Sequence, residues 1–169
     1  MIVDSVQLRM AQIEDSTVIA DLLREAFEEF RFGYTDEAFR EVTPPVEVIE
    51  KRFDEGPIWV AQSFGRIIGT VSTLPEPEWL YIRSMAVSPG IQGLGIGKRL
   101  LSEVEDFALN EGFEKLFLYT THFSLPAIRL YEKLGFYVVR ETTAEEWFGT
   151  PGLAMEKLIG RKLENVIGS

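Results

Sequence analysis

Cysteine is missing altogether from the 169 residues. Disulfides, thiolate metal sites and a cysteine nucleophile are thereby excluded, and a cytoplasmic location fits that composition. Histidine is nearly as scarce, His122 standing alone. A His-rich metal centre cannot form, no carboxylate loop of calcium-binding type is recognisable, and no metal is expected. A serine-hydrolase triad would need His122 as its base. The nearest nucleophile pattern, Ala61-Gln62-Ser63-Phe64-Gly65, lacks the first glycine of the G-x-S-x-G elbow. It also lies between two strand-like segments, where that elbow needs a strand-to-helix turn. No apolar run approaches the ~20 residues of a membrane span. Met1 to Met10 carries Asp4 and Arg9 and does not read as a signal peptide. Basic residues are outnumbered, 17 Lys and Arg against 27 Asp and Glu, for a net charge of −10. Nucleic acid needs a basic footprint and is not an expected partner, nor is a membrane. An acidic surface attracts cationic small molecules or basic peptides, and it also serves plain solubility.

What is present suits a soluble globular chain, 46% hydrophobic and 26% charged. The length fits one domain over 1–169 with a real core. Val6 to Met10 reads as a short strand. Asp15 and Ser16 are N-cap types ahead of Val18, Ile19, Leu22, Leu23, Ala26, Phe27 and Phe30, which repeat with helical period. Thr43-Pro44-Pro45 opens a second helix, with Val46, Ile49 and Phe53 on one face. Ile58 to Ser63 and Ile67 to Leu74 are strands joined by a tight turn at Gly65, and a loop leads to a further strand, Trp79 to Val87. Gln92-Gly93-Leu94-Gly95-Ile96-Gly97 precedes a helix burying Leu100, Leu101, Val104, Phe107 and Ala108 and stopped by Gly112. A short strand, Leu116 to Thr120, is followed by a helix from Ser124 to Leu134. Two strands, Phe136 to Arg140 and Leu153 to Leu158, precede a loosely held tail over 160–169. The class is mixed α+β.

Strand, glycine-rich turn and helix together form an anion-binding arrangement. Unpaired N–H groups of the first helical turn point outward, and the helix dipole adds positive potential. Spacing chooses among the phosphate ligands that use it. A Walker loop needs glycine where Gln92 stands and Ser or Thr where Arg99 stands; a dinucleotide fingerprint needs glycine at Lys98. The preceding strand has its own signal. Its apolar residues alternate at Leu80 and Ile82, then resume at Met85 and Val87, a one-residue slip that a β-bulge produces.

Gln92-x-x-Gly95-x-Gly97 resembles the (Arg/Gln)-x-x-Gly-x-(Gly/Ala) signature of GNAT-type N-acetyltransferases. Ile82-Arg83-Ser84-Met85-Ala86-Val87-Ser88-Pro89 is similar to the strand before that loop. Ala127-Ile128-Arg129-Leu130-Tyr131-Glu132-Lys133-Leu134-Gly135-Phe136 matches the family's second motif, and Met155-Glu156-Lys157 its closing strand. The likeness spans about 67–158. It implies a mostly antiparallel sheet of six to seven strands, splayed in the middle and flanked by about four helices. It also implies acetyl-CoA as co-substrate and direct acyl transfer to a primary amine in a ternary complex.

By that resemblance the main chain of Met85, Ala86 and Val87 pairs with the pantetheine arm. N–H groups of Gln92, Gly93, Leu94, Gly95, Ile96, Gly97 and Lys98 take the pyrophosphate. Tyr131 matches the tyrosine that protonates the leaving sulfur, and a phenol near pKa ~10 holds that proton at neutral pH. Many relatives carry a glutamate base where this chain has Tyr81, so Glu78 at the strand's start, or His122, is the alternative, acting through water. Ser124 occupies the place of a pantetheine-contacting asparagine, or caps its helix. Phe30, Phe32, Tyr34 and Phe39, with Tyr81, are candidates for an acceptor slot, and the first four are equally candidates for the core of the two N-terminal helices. The acceptor is a small-molecule amine or a peptide N-terminus, and a homodimer is open. Two other classes compete: a catalytically silent acyl-CoA-binding or sensing module, motivated by Tyr81, and an unrelated phosphate-binding domain.

Overall fold

The computed structural model describes residues 5–160. Most of the expected tail, and the first four residues, lie outside that range. The elements run β1 (Gln7–Met10), α1 (Ser16–Glu28), α2 (Asp36–Val42), α3 (Val46–Arg52), β2 (Ile58–Ser63), β3 (Arg66–Pro75), β4 (Leu80–Val87), α4 (Ile96–Asn110), β5 (Lys115–Thr121), α5 (Leu125–Lys133), β6 (Tyr137–Thr142) and β7 (Gly152–Leu158). Helix α2 is the element that periodicity does not announce, making five α-helices among the described residues where about four were expected. Its seven residues fully bury only Ala38, with Phe39 and Val42 half-buried beside it, so its apolar face is too short for a period to stand out. Its start is marked locally: the Thr35 side chain accepts from the Ala38 N–H, with Asp36 and Glu37 in the first turn.

The strands form one seven-stranded sheet in the order β1-β2-β3-β4-β5-β7-β6. Every neighbouring pair is antiparallel except β4 and β5, which are parallel. Helices cover both faces. On one side Ile19, Leu22, Leu23 and Ala26 of α1 and Ile49 of α3 pack with Ile58 and Val60 of β2. On the other Leu100, Leu101 and Val104 of α4 and Tyr131 of α5 pack with Trp59, Val71, Leu80, Ile82, Leu118 and Met155. Strand β2 alternates between the two cores, Ile58 and Val60 facing one, Trp59 and Ala61 the other. The helix from Ile96 to Asn110 buries the stripe read from its period, with Phe107 half-buried against Trp59 at 5.6 Å between ring centroids.

The middle of the sheet opens where the phase slip falls. Strand β3 pairs Thr70 with Ala86 and Ser72 with Arg83, so β4 spends one more residue than its partner over that interval. Ser84 takes the extra place, at φ 53°. An L-residue there is strained by roughly 1–3 kcal/mol, which surrounding contacts must outweigh. The bulge bends β4 away from β5. Their parallel ladder covers only Leu80–Ile82 against Leu116–Leu118 and then ends, although both strands continue.

Candidate active site

The wedge between the diverging strands widens into a cleft of about 840 Å³, within the range of small-molecule sites. Beyond Ile82 the β5-facing main chain of β4 has no partner strand, while its other edge stays paired with β3 through Ala86 and Val87. Backbone N–H and C=O groups left open in this way call for an external partner. Met85, Ala86 and Val87 all line the cleft. Ala86 packs towards the α1 core, while Met85 and Val87 lie half-buried against the α4 core.

The same cleft receives the N-terminus of α4. Gly93 and Gly95 hold φ of 82° and 86°, which bend the chain sharply into the helix without the penalty a Cβ would incur. No side chain caps this helix, so the first-turn N–H groups are left for another acceptor. The dipole of 15 helical residues adds to them. The Gln92 amide reaches back to the Val87 carbonyl at 3.4 Å, loosely closing the turn. Gln92, Gly93, Gly95, Ile96, Gly97 and Lys98 line the cleft, whereas exposed Leu94 does not.

Deeper in, hydroxyls gather. The Thr121 and Ser124 oxygens lie 2.6 Å apart, and both engage the Tyr34 phenol. Tyr131 is 7% exposed and packs on Phe136 at 5.7 Å. Its phenol is pushed far above the ordinary value, first by burial and then by neighbouring Tyr34. Burial also raises Tyr34, against hydrogen bonds from Thr121 and Ser124 that lower it. Ser124 is therefore a buried member of this cluster; it makes no side-chain cap to α5.

The far wall is aromatic and cationic. Tyr34 meets Phe123 edge-on at 5.0 Å and Trp147 at 6.4 Å, while Phe27, Phe30 and Phe148 complete the apolar lining. Thr35 ties this wall together: its N–H donates to Thr150 Oγ1 at 3.0 Å, and its hydroxyl donates to the Phe148 carbonyl at 2.6 Å. Arg52, 6% exposed, sits at the end of α3 and donates from Nη1 to Ser84 Oγ at 2.7 Å, holding the bulge. Burial, followed by the Arg83 charge, pulls its guanidinium down to about 10. Tyr81 is pushed up to about 12, chiefly by burial and then by Tyr119. It stays neutral at physiological pH and cannot serve as the base.

Four expected residues place differently. Glu78 is exposed in the β3–β4 connection and is not part of the cleft lining, because the connection carries it beyond the closed end of the β4–β5 ladder. Phe32 is 81% exposed: the short 3-10 turn Arg31–Gly33 points it outward, its ring 5.8 Å from Phe123. Phe39 packs under the Arg31 guanidinium at 4.4 Å and lies off the lining. His122 is exposed, 3.9 Å from Glu141. Among the described residues the lining instead contains a single carboxylate, Glu41, from the unannounced helix α2. Arg52 had left a readable trace. It falls three residues after Ile49 on a helix face otherwise apolar, where a cation is out of place. Trp147 and Phe148 left none, since they reach the cleft from the long β6–β7 connection.

The model of the acetyltransferase (GNAT) family matches residues 19–136. The uncharacterized N-acetyltransferase YjgM of Escherichia coli is 28% identical over 136 residues, covering 76% of this chain and 80% of that protein. The rat N-acetyltransferase family 8 member 2 is 36% identical over 87 residues, 48% of this chain. The match takes in only 38% of that rat protein's length. Among solved structures, the PaiA N-acetyltransferase of Thermoplasma acidophilum, in complex with coenzyme A, aligns with a TM-score of 0.78. The alignment covers 92% of this chain and 99% of that one at 22% identity, a likeness of fold.

Proposed function

The chain belongs to the acetyltransferase (GNAT) family, and on that premise we propose that it moves an acetyl group from acetyl-CoA to a primary amine in a ternary complex. The observation that carries the reading is the convergence of two sets of unpaired main-chain groups on one cleft. The β5-facing edge of Met85 to Val87 suits the amide-bearing pantetheine arm. The uncapped start of α4, from Gln92 to Lys98, suits the pyrophosphate.

Acetyl-CoA supplies the activated thioester; the chain's own groups supply orientation and proton traffic. An N–H near Val87 polarises the thioester carbonyl. As the amine nitrogen forms its bond to the acetyl carbon, the carbon–sulfur bond breaks and the electron pair leaves on sulfur. Tyr131 donates its proton to that sulfur. Burial that raises this phenol also raises a thiol in the same cleft, which narrows the mismatch between donor and acceptor. Glu41, the carboxylate in the lining, takes the proton lost by the amine through a water. It replaces Glu78 in that role. Ser124, with Thr121, hydrogen-bonds the arm near its reactive end. We further read 1–169 as one domain working in the cytoplasm.

A silent acyl-CoA-binding module is the second reading, favoured by the neutrality of Tyr81 up to about 12. Two measurements decide. Calorimetry with coenzyme A should show binding; no heat at millimolar ligand would end both readings. Thiol release from acetyl-CoA over an amine panel, with mass-spectrometric detection of an acetylated product, supports the transferase. Binding without release supports the module.

A further inference from the structure

The chain carries a net charge of −10, yet the acceptor end of its cleft is cationic. Arg52 is buried on the cleft wall, and its hydrogen bond goes to the neutral Ser84 hydroxyl. Among the described residues no carboxylate forms an ion pair with it; Glu55 and Glu41 act on it only at longer range, behind burial and the neighbouring Arg83. Arg83 pairs with Glu55 through Nη2, and its Nε is buried with no partner. Two guanidinium groups thus meet beside the bulge with donor capacity to spare. A buried cation without its counter-ion is costly, and a planar guanidinium matches a carboxylate through paired hydrogen bonds. The same cleft is lined by the Glu41 carboxylate and by Phe27, Phe30 and Trp147.

We propose that Arg52 and Arg83 receive a carboxylate on the acceptor, so that the amine acetylated is that of an amino acid with an apolar side chain. Polyamines and plain amines are disfavoured there by the guanidinium charges. Glu41 faces the acceptor's ammonium, the arginines its carboxylate and the aromatic wall its side chain. This deepens the acetyltransferase reading and rests on it.

The test compares kcat/KM with acetyl-CoA for L-phenylalanine, phenethylamine and L-phenylalaninamide, and for L-leucine against 3-methylbutylamine. The carboxylates should be preferred by at least about tenfold, since a site with buried donors rejects an analogue that leaves them unpaired. In Arg52→Met the preference should fall to about threefold or less, with Arg52→Lys in between. A ratio within one variant is insensitive to how much of the protein folds. An arginine that merely holds the bulge would depress all acceptors together and leave the ratio unchanged. As a second measurement, N-acetyl-L-phenylalanine and N-acetylphenethylamine are titrated into protein saturated with coenzyme A. Tighter binding of the acid supports the proposal; equal binding, preference for the neutral compound, or binding of neither overturns it. If coenzyme A itself fails to bind, it is the acetyltransferase reading that falls.

Discussion

Tyr131 and Glu41, the proposed acid and base, show how differently two residues announce themselves. The phenol lies in a motif the sequence displays openly, and the fold buries it to 7% exposure against the hydroxyl cluster. Removing its oxygen leaves the ring's packing on Phe136 in place. Tyr131→Phe should therefore lower kcat by about 10²-fold or more while changing the coenzyme A Kd by less than about threefold. Steady-state kinetics beside calorimetry would check this, and equal losses in both would argue against proton donation. Glu41 sits on a helix without periodicity, and nothing in its neighbours marks it out. Glu41→Gln should lower kcat by about tenfold or more at neutral pH, with coenzyme A binding retained. Glu78→Gln should leave kcat within about twofold, as suits an exposed loop side chain away from the cleft. The reverse ranking of these two variants would return the base to the sequence's first candidate.

Elements place those residues, and two of them are especially exposed to single changes. The turn into α4 depends on left-handed glycines. A Cβ added at Gly95 meets nothing within 4 Å, so Gly95→Ala tests backbone conformation without a clash. At φ 86° alanine costs roughly 1–2 kcal/mol, and relaxation of the turn should weaken coenzyme A about tenfold with little loss of the helix itself. Calorimetry and circular dichroism would separate those effects. Thr35 serves α2 as N-cap and also binds the connection carrying Trp147 and Phe148. Thr35→Ala should lower stability by about 1–2 kcal/mol in urea unfolding and raise the acceptor KM more than that of acetyl-CoA. Most elements were readable because their apolar residues repeat at 3.6 or 2. The exceptions follow from the same rule: α2 buries one side chain, and the Trp147–Phe148 turn obeys no period.

For the whole molecule, the buried phenols tie stability to alkaline pH. Tyr81 ionises near 10.0 when unfolded and at about 12 when folded, and Tyr131 is held higher still. Above pH 10 the unfolded chain releases protons that the folded chain keeps, so this stabilisation is full below pH 10 and lost as pH rises through the folded values. Arg52, lowered to about 10, acts with the opposite sign in that window, one group against several phenols. Unfolding free energy should be flat up to about pH 10 and then fall. Tyr81→Phe should fall less steeply, by up to about 1.4 kcal/mol per pH unit, in urea titrations between pH 9 and 11. By itself the sequence determined the helix and strand order of the central region, the bulge in β4 and the glycine turn. Each of these is local, written in the phase of apolar residues a few positions apart or in glycine spacing. Only the tertiary structure decided which side chains meet across the cleft. Glu41, Arg52 and Arg83, and Tyr34 with Trp147, are brought together from separate elements by a seven-stranded sheet that opens in the middle. Contacts between residues far apart in the chain leave no period to read, because their spacing is set by the packing of layers rather than by the geometry of any one element.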